Sequence, residues 1–554
     1  MKEIIFSLFY LFTGTLANAQ SRINKDSTVV HPNIIWIVCE DISMHLSCFG
    51  ETEIKTPNLD ALAKDGVKYT NTYAVAGVCA PSRAGIISGM YPMEFGADNM
   101  RNFSETKKKP AKPMISGFPS YSVVPPAYFK GFPEFLRRAG YYCTNNPKED
   151  YQFEAPVTMW DESSEKATYK NRPSGKPFFA IFNLDVTHES FIWKNAKLPL
   201  TVDPKKVIVP PYYPDIREIR EDIARNLSNV VIMDEQAGKI IQNLKDEGLY
   251  DNSIIFFYSD HGDGLPYVKR EVLMRGLHIP LIIKYPKNKY AGQTDPQLIS
   301  GVDLGATVLS LAGVPVPAYM KGRAFTGIQS SKSERKYIYA ARDRMDDCVD
   351  RVRAVYDGHY QYIRNYMPKK PRYQNIEFRL QQRGMRRIIS LRDSGLLNQT
   401  QMLWFKAPKP VHELYDIQND PDELNNLADN SAYKTELEKL QKVMNKWEAE
   451  GDWNATPEAE LIKKMWNGKS VLPSTDVSVV TETKQGLYIH CRTPGASIGY
   501  KIIKAGTELP ADCEENRKDW MIYNFQPVWL NKGDQIIIKA QRIGYKSSEL
   551  IYTK

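Results

Sequence analysis

The sequence predicts an α/β fold built on a central, mostly parallel sheet with helices on both sides. Residues 34–39 and 253–259 are continuous apolar runs, which are typical of strands buried on both faces. Helix and strand signals alternate along the first part of the chain, as in βαβ units around a parallel sheet. At 554 residues the chain exceeds one ordinary domain, so we expect further regions after the first.

Local signals define the elements of this first region. Thr56 as N-cap, Pro57 in the first turn and Gly66 after the end predict a helix. Amphipathic spacing predicts a long helix within residues 216–247. Further helices are expected at residues 132–139 and 302–312, and further strands at residues 67–74, 141–144, 177–185 and 281–285.

The later part of the chain has a different character. Strands of a smaller antiparallel sheet are predicted at 337–340, 351–356 and 360–364, with a helix at 434–450. From about residue 473, short strands and turns predict a small β-sandwich. We therefore divide the chain into an α/β domain (30–330), an antiparallel subdomain (331–465) and an accessory β-sandwich (473–554).

The N-terminus has the features of a secretory signal peptide, residues 1–19. Lys2 supplies positive charge, residues 4–16 are mostly apolar, and residues 17–19 (Ala-Asn-Ala) fit the small-x-small cleavage rule. This apolar run is short for a membrane span, and no later stretch is long enough. We therefore predict export to a periplasm or beyond, without a transmembrane segment.

The overall charge favours an anionic partner other than nucleic acid. The formal net charge is +8, but we find no basic stripe with interleaved aromatic residues. Seven cysteines are too sparse for a disulfide scaffold and lack zinc-site spacing.

Cys79 begins the most informative motif, Cys-Ala-Pro-Ser-Arg. Because proline is tolerated in the first turn of a helix, Pro81 predicts that Cys79 lies at or just before a helix N-terminus. That end of a helix favours anions, and Arg83 adds a fixed cation one turn further on. A nucleophile at position 79 would face a negatively charged substrate; the alternative is a buried cysteine that only packs.

Acidic residues follow two of the predicted buried strands. Glu40 and Asp41 end the first run, and Asp260 and His261 end the run at 253–259. Ligands bind beyond the carboxyl ends of strands in open α/β sheets, and converging carboxylates repel one another unless a cation joins them. Hard oxygen ligands suit calcium or magnesium, so we predict a metal site; solvated acidic turns are the alternative.

At these residues the chain resembles the formylglycine-dependent sulfatases. Their hallmark is Cys-x-Pro-Ser-Arg followed by a small-residue turn; the matching positions are Cys79, Pro81, Ser82, Arg83 and Ser88-Gly89. In that family a maturation enzyme oxidises the cysteine to formylglycine, whose hydrated aldehyde attacks sulfur. The resemblance implies an alkaline-phosphatase-like sandwich, hydrolysis of sulfate esters, and a sulfated oligo- or polysaccharide as substrate.

The resemblance also implies a calcium site. Asp41 and Asp260 correspond to ligands, and formylglycine at position 79 lies against the ion. Glu40 stands where many members have aspartate. His261 stands where others have asparagine or histidine, and it either joins the ligands or hydrogen-bonds to one of them.

Catalytic roles follow from the same resemblance. Lys148 corresponds to a lysine that contacts the sulfate, and Asp150 replaces a histidine that holds the formylglycine hydroxyl. His188 corresponds to the acid that protonates the leaving alcohol, which suits the ordinary pKa of histidine. Lys269 corresponds to a cation on the sulfate and leaving oxygens, with Arg270 as the alternative. The alternatives are a surface position for Lys148 and a capping or packing role for His188.

Substrate identity is less constrained. Arg101 is a candidate contact to anionic sugar groups, as are Arg342, Arg344 and Arg364, although each is equally suited to a structural ion pair. The segments around Lys148 and His188 resemble the N-sulfoglucosamine sulfohydrolase branch, so O-sulfated algal or host polysaccharides and N-sulfated glucosamine are all candidates. Two competing functions are a phosphatase or phosphonate monoester hydrolase of the same superfold, and a non-catalytic protein that binds sulfated glycans.

Overall fold

A central eight-stranded sheet organises the first region of the chain. The computed structural model describes residues 31–102, 120–469, 471–507 and 519–554. The predicted signal peptide therefore lies outside the described residues. The strands of the sheet are β1 (Asn33–Cys39), β2 (Val67–Tyr73), β3 (Tyr142–Asn146), β4 (Glu162–Ser163), β5 (Phe178–Leu184), β6 (Ser253–Ser259), β7 (His278–Lys284) and β8 (Gln293–Ser300).

Helices cover this sheet. They are α1 (Pro57–Asp65), α2 (Cys79–Ser88), α3 (Phe132–Arg138), α4 (Ser190–Lys194), α5 (Arg217–Asp246), α6 (Met274–Leu277) and α7 (Asp303–Leu311). All the helices and strands expected in this region are present, with ends that differ by a few residues. Among the described residues, no helix combines the length and apolar character needed to cross a membrane.

The strand order is β4-β3-β5-β1-β6-β7-β2-β8. β7 runs antiparallel to both its neighbours, whereas every other neighbouring pair is parallel. The prediction of a mostly parallel sheet is confirmed. β7 can reverse direction because the segment that joins β6 to β7 stays at one edge of the sheet and makes no crossover.

The core lies on both faces of the sheet, as the continuous apolar run at β1 predicts. Ile34, Trp36 and Val38 belong to a cluster on one face, which α2, α3 and α7 cover. The alternating residues of the same strand belong to a second cluster, which α1 and α5 cover. Successive side chains of a strand point to opposite faces, so a strand between two helical layers must be apolar at every position.

A smaller antiparallel sheet follows, in the order β12-β11-β10-β9. Its strands are β9 (Ile338–Arg342), β10 (Val352–Tyr356), β11 (Tyr360–Asn365) and β12 (His412–Asp416). The helices of this part are α8 (Arg383–Asp393), α9 (Gln399–Met402), α10 (Lys434–Gly451) and α11 (Glu458–Met465). Leu440, Met444 and Trp447 of α10 pack on Tyr362 and Leu414 of the sheet.

The described residues near the C-terminus form two further antiparallel sheets. Their strands are β13 (Val479–Thr483), β14 (Gly486–His490), β15 (Ser497–Ile503), β16 (Met521–Ile522), β17 (Gln535–Gln541) and β18 (Ser548–Thr553). One sheet pairs β13 with β14, and the other has the order β16-β15-β17-β18. Leu487 and Ile489 of the first sheet share a core with Ile536 and Ile538 of the second, as expected for a small β-sandwich. The domain boundaries given above stay predictions.

Candidate active site

The segments that carry the predicted site residues leave the sheet at the same edge. β1, β2, β3, β5 and β6 run in one direction, so their carboxyl ends meet there. These ends carry, in chain order, Glu40 and Asp41; Cys79; Lys148 and Asp150; His188; and Asp260, His261 and Lys269. The convergence expected from the strand ends is therefore present in the structure.

Cys79 is the first residue of α2, as Pro81 predicts. The side chain is buried, and its Sγ lies 3.4 Å from His261 Nε2. Ser82, in the first turn, donates a hydrogen bond from Oγ to the backbone oxygen of Asp260 at 2.6 Å. The helix start is thereby tied to the end of β6. Burial would raise the pKa of the Cys79 thiol, but the charges of Lys148, Lys269 and His261 lower it well below its usual value.

Arg83 is held by charge-assisted hydrogen bonds. Its Nε donates to Asp260 Oδ2 at 2.9 Å, and its Nη1 donates to Asn183 Oδ1 at 2.7 Å. Asn183, on β5, also donates to Asn145 Oδ1 at 3.1 Å. Our sequence reasoning missed Asn183, although an asparagine near the end of an apolar strand is a visible signal.

Three buried carboxylates, of Glu40, Asp41 and Asp260, lie together at this edge. Ligand atoms of Glu40, Asp41, Cys79 and His188 lie within 4.8 Å of one another, as do those of Cys79, Asp260 and His261. Asp41 Oδ1 is buried, and its 3.1 Å contact with His261 Nε2 lacks the alignment of a hydrogen bond. Buried carboxylates need a compensating charge, and an oxygen-rich set of this kind fits a calcium ion.

His261 lies between two of these carboxylates. Its Nδ1 is 2.8 Å from the carbonyl oxygen of Gly262, which can only accept, so Nδ1 carries a proton. Nε2 then faces Asp41 Oδ1 at 3.1 Å and Asp260 Oδ1 at 3.7 Å. Burial would lower the pKa of His261, but the two aspartates raise it to about 10. The side chain therefore belongs to the same charge cluster as the predicted ligands.

Two lysines lie beside the carboxylates. Lys148 Nζ donates to Glu40 Oε2 at 2.6 Å and lies 3.8 Å from Asp150 Oδ2. Lys269 Nζ donates to Asp41 Oδ2 at 2.5 Å. Lys148 and Asp150 have φ of 53° and 51°, and Asp41 has φ of 52°. Non-glycine residues seldom adopt this left-handed conformation, and such strained residues cluster at functional sites.

The segment after β5 brings His188 to the site. His188 is partly exposed, and its Nδ1 lies 2.9 Å from Ser190 Oγ. The backbone N–H of Glu189 donates to Asp41 Oδ2 at 2.7 Å, so the loop is fixed to the carboxylate cluster. We had not singled out Glu189, although it directly follows His188 in the sequence.

Arg270 and Glu189 form a buried ion pair. Arg270 Nη1 and Nη2 donate to the two carboxylate oxygens of Glu189 at 3.0 and 2.6 Å. Each side chain is 1% exposed. Removing one partner of such a pair typically costs about 3–5 kcal/mol because a charge stays buried alone. Arg270 does not line the cleft described below, and its substrate role stays a prediction.

The four arginines predicted as candidate sugar contacts differ in their position relative to the cleft. Arg101 lines the cleft with a side chain 52% exposed, and its Nε lies 2.8 Å from Asp346 Oδ1. Three other arginines are held by carboxylates away from the cleft: Arg342 by Glu271 and Asp350, Arg344 by Glu458, and Arg364 by Glu448. Of the predicted sugar contacts, Arg101 alone among these four lies at the cleft.

A cleft of about 680 Å³ opens over Cys79. Its volume is typical of a pocket for a small ligand. Glu40, Arg101, Lys148, Asp150 and His188 line it together with Cys79. Our sequence reasoning did not anticipate its aromatic wall, which Phe191, Trp193 and Phe378 form. These residues lie on short helical turns with no periodic signal to mark them.

Comparison with known proteins agrees with this geometry. The Sulfatase family model matches residues 32–314, and the model for the C-terminal part of N-sulphoglucosamine sulphohydrolase matches residues 262–389. The first of these matches includes every residue predicted for catalysis or metal binding.

Individual relatives cover most of the chain. An ulvan-active sulfatase from Formosa agariphila is 43% identical over 94% of this chain and 91% of its own length. The human N-sulphoglucosamine sulphohydrolase is 22% identical over 78% of this chain and 93% of its own length. A solved 2-O GAG sulfatase superposes with a TM-score of 0.55 at 19% identity, covering 77% of this chain and 94% of that one. This likeness confirms the predicted fold. With a family model spanning half of the chain and a relative of 43% identity along nearly all of it, the protein belongs to the sulfatase family and is a sulfuric ester hydrolase.

Proposed function

We propose that this protein removes sulfate from a sulfated polysaccharide of the ulvan type, using formylglycine formed at Cys79 and one calcium ion. The observation that carries the proposal is the position of Cys79 in the cleft, between the lysines and the carboxylate cluster. The similarity to an ulvan-active sulfatase supports the choice of glycan. The net charge of +8 agrees with a polyanionic substrate.

The carboxylates suit the proposed ion. Glu40, Asp41 and Asp260 would hold calcium beside position 79, and His261 would hydrogen-bond to an aspartate of the set. Calcium would supply Lewis-acid polarisation of a sulfate oxygen. Asp41 Oδ1, whose 3.1 Å contact with His261 Nε2 lacks hydrogen-bond alignment, would gain from a cation beside it.

The other residues bind the sulfate and compensate its charge. Hydrated formylglycine at position 79 would supply a nucleophilic hydroxyl and a second hydroxyl through which sulfate is released. Lys148 and Lys269, whose charges act on Cys79, would stabilise negative charge on the sulfate oxygens. Arg83 fixes the carboxylate of Asp260. Asp150, which lines the cleft with Cys79, would accept or orient a proton at position 79.

His188→Ala tests whether the histidine donates the proton to the leaving oxygen. General acid catalysis contributes about 10²–10⁴-fold, so we expect kcat on a sugar sulfate to fall by about 10²-fold or more. The nitrophenolate of nitrophenyl sulfate leaves as a stable anion without a proton, so kcat on this substrate should fall much less. Steady-state kinetics on both substrates measure the ratio. Ser190→Ala, which removes only the hydroxyl beside Nδ1, is the control. Equal losses on the two substrates would refute the acid role.

Export and maturation are part of the proposal. Cleavage after residue 19 would leave Gln20 as the first residue of the mature chain. A formylglycine-generating enzyme would act on Cys79. The intact mass of the protein purified from its native host measures the cleavage. The mass of the peptide that contains Cys79 measures the conversion to formylglycine.

A defined glycan panel tests the function as a whole. Matured protein is incubated with ulvan oligosaccharides, O-sulfated glycosaminoglycan oligosaccharides, N-sulfated glucosamine and an aryl phosphate, and the sulfate or phosphate released is measured. We expect the highest kcat/KM on the ulvan oligosaccharides and no phosphate release above background from the aryl phosphate. The proposal fails if protein with a fully converted Cys79 peptide releases no sulfate from any glycan.

A further inference from the structure

A second cavity adjoins the active-site cleft. Its volume is about 410 Å³, and it shares Trp193 with the cleft as a lining residue. The chain from residue 190 to 200 lines both cavities, and so does the chain from 378 to 383. The two cavities are therefore adjacent and share two segments of the chain as lining.

Trp193 stands where the two cavities meet. Its ring packs edge-on with Phe378 at a centroid distance of 5.2 Å and an interplanar angle of 73°. This contact holds the indole in place, and the side chain remains partly exposed. The C–H face of a pyranose ring is apolar and packs well on such an aromatic surface.

Gln382, which lines the second cavity, carries a polar atom with no hydrogen-bond partner among the described residues. Gln382 is 1% exposed, and its Nε2 donates to the backbone oxygen of Gly264 at 2.7 Å. Its Oε1 is buried and accepts no hydrogen bond from the described residues. A buried acceptor of this kind is satisfied when a ligand hydroxyl donates to it. Arg383, whose side chain is 59% exposed, lines the same wall and lies 3.2 Å from Glu221, which also lines this cavity.

We propose that the second cavity is a subsite for a neighbouring sugar unit, so that the glycan runs from Cys79 over Trp193 towards Gln382. The inference rests on the proposed function, because it assumes that the sulfated unit lies in the cleft. It assigns Trp193 as the stacking surface between subsites and Gln382 Oε1 as the acceptor for a sugar hydroxyl. The enzyme should therefore prefer a sulfated oligosaccharide to a single sulfated sugar.

Filling the second cavity tests the proposal without touching the catalytic groups. Ala196 lines this cavity and is exposed, so Ala196→Trp adds bulk there and removes no contact of the site. Lys197→Trp is the matched control, because Lys197 is exposed and lines neither cavity. The substrates are ulvan di- and hexasaccharides and nitrophenyl sulfate.

For Ala196→Trp we expect the loss of kcat/KM on the hexasaccharide to exceed the loss on nitrophenyl sulfate at least tenfold. Lys197→Trp should show no such difference. Trp193→Ala should show the same preference for loss on the longer substrate. Equal losses on all substrates, or no loss for either cavity variant, would overturn the subsite.

Binding to an inactive protein gives a second readout. Calorimetry with Cys79→Ala should show that the hexasaccharide binds at least tenfold more tightly than the disaccharide, and that Ala196→Trp in this background removes the difference. If the wild-type enzyme desulfates both glycans equally well and binds them equally, the subsite is wrong while the proposed function stands. If the wild-type enzyme desulfates neither, the proposed function itself fails.

Discussion

Alanine in place of Cys79 is expected to reduce turnover of every sulfate ester to the background rate. Removal of a nucleophile that acts as a unit with its partners costs an enzyme about 10⁴-fold or more in kcat. Alanine cannot be converted to an aldehyde, and its methyl group leaves α2 and the surrounding hydrogen bonds in place. Sulfate release from a glycan and from nitrophenyl sulfate measures the loss.

Cys48→Ala is the matched control for this variant. Cys48 is partly buried, lies outside the cleft and contributes to a packed cluster instead. Its replacement should leave kcat within about twofold. Cys79→Ala should unfold at the wild-type temperature. If that variant kept more than a thousandth of the wild-type kcat, position 79 would be excluded as the nucleophile.

Asn in place of Asp260 should abolish the proposed calcium binding and lower kcat/KM by about 10³-fold. The substitution keeps the shape of the side chain and an oxygen that can accept from Arg83, but it removes a negative charge from the carboxylate cluster. Calcium at 100 times its Kd adds about 2.7 kcal/mol to the stability of a protein that binds it only when folded. The wild-type protein should therefore unfold at a higher temperature with calcium, and the variant should not respond.

Asp263→Asn serves as the control for the calcium experiment. Asp263 lies three residues further on and hydrogen-bonds to the backbone N–H of Ser43 at 2.9 Å and to His45 at 2.8 Å. It is not part of the carboxylate cluster, so this variant should keep one calcium per chain. Elemental analysis of the purified proteins and thermal unfolding with and without calcium give the answer. A full calcium content in Asp260→Asn would contradict the assignment.

Much of the fold was predictable because its signals are local. The apolar run that forms β1 needs no knowledge of distant residues, and neither does the helix start that Pro81 marks. The reversed direction of β7 was not predictable, because a buried strand has the same apolar composition whether its neighbours are parallel or antiparallel.

The site was predictable where residues follow strands and unpredictable where loops meet. Glu40 and Asp260 could be placed together because strand ends of a parallel sheet share an edge. Lys269 and Arg270 are adjacent in sequence, and only packing shows that the first faces Asp41 while the second pairs with Glu189. Phe378 reaches the cleft from a short turn far along the chain, so no local pattern indicates it.

The large sequence separation between active-site residues also determines when the enzyme first becomes active during its synthesis. Asp41 and Lys269, whose charged groups touch, are separated by 228 positions of chain. Contacts between residues so far apart in sequence form slowly. Closing the intervening loop costs conformational entropy before any native contact compensates for that cost. A nascent polypeptide that has not yet emerged beyond β6 thus lacks a complete reaction centre, and activity should return after most helical signal when denatured protein is refolded.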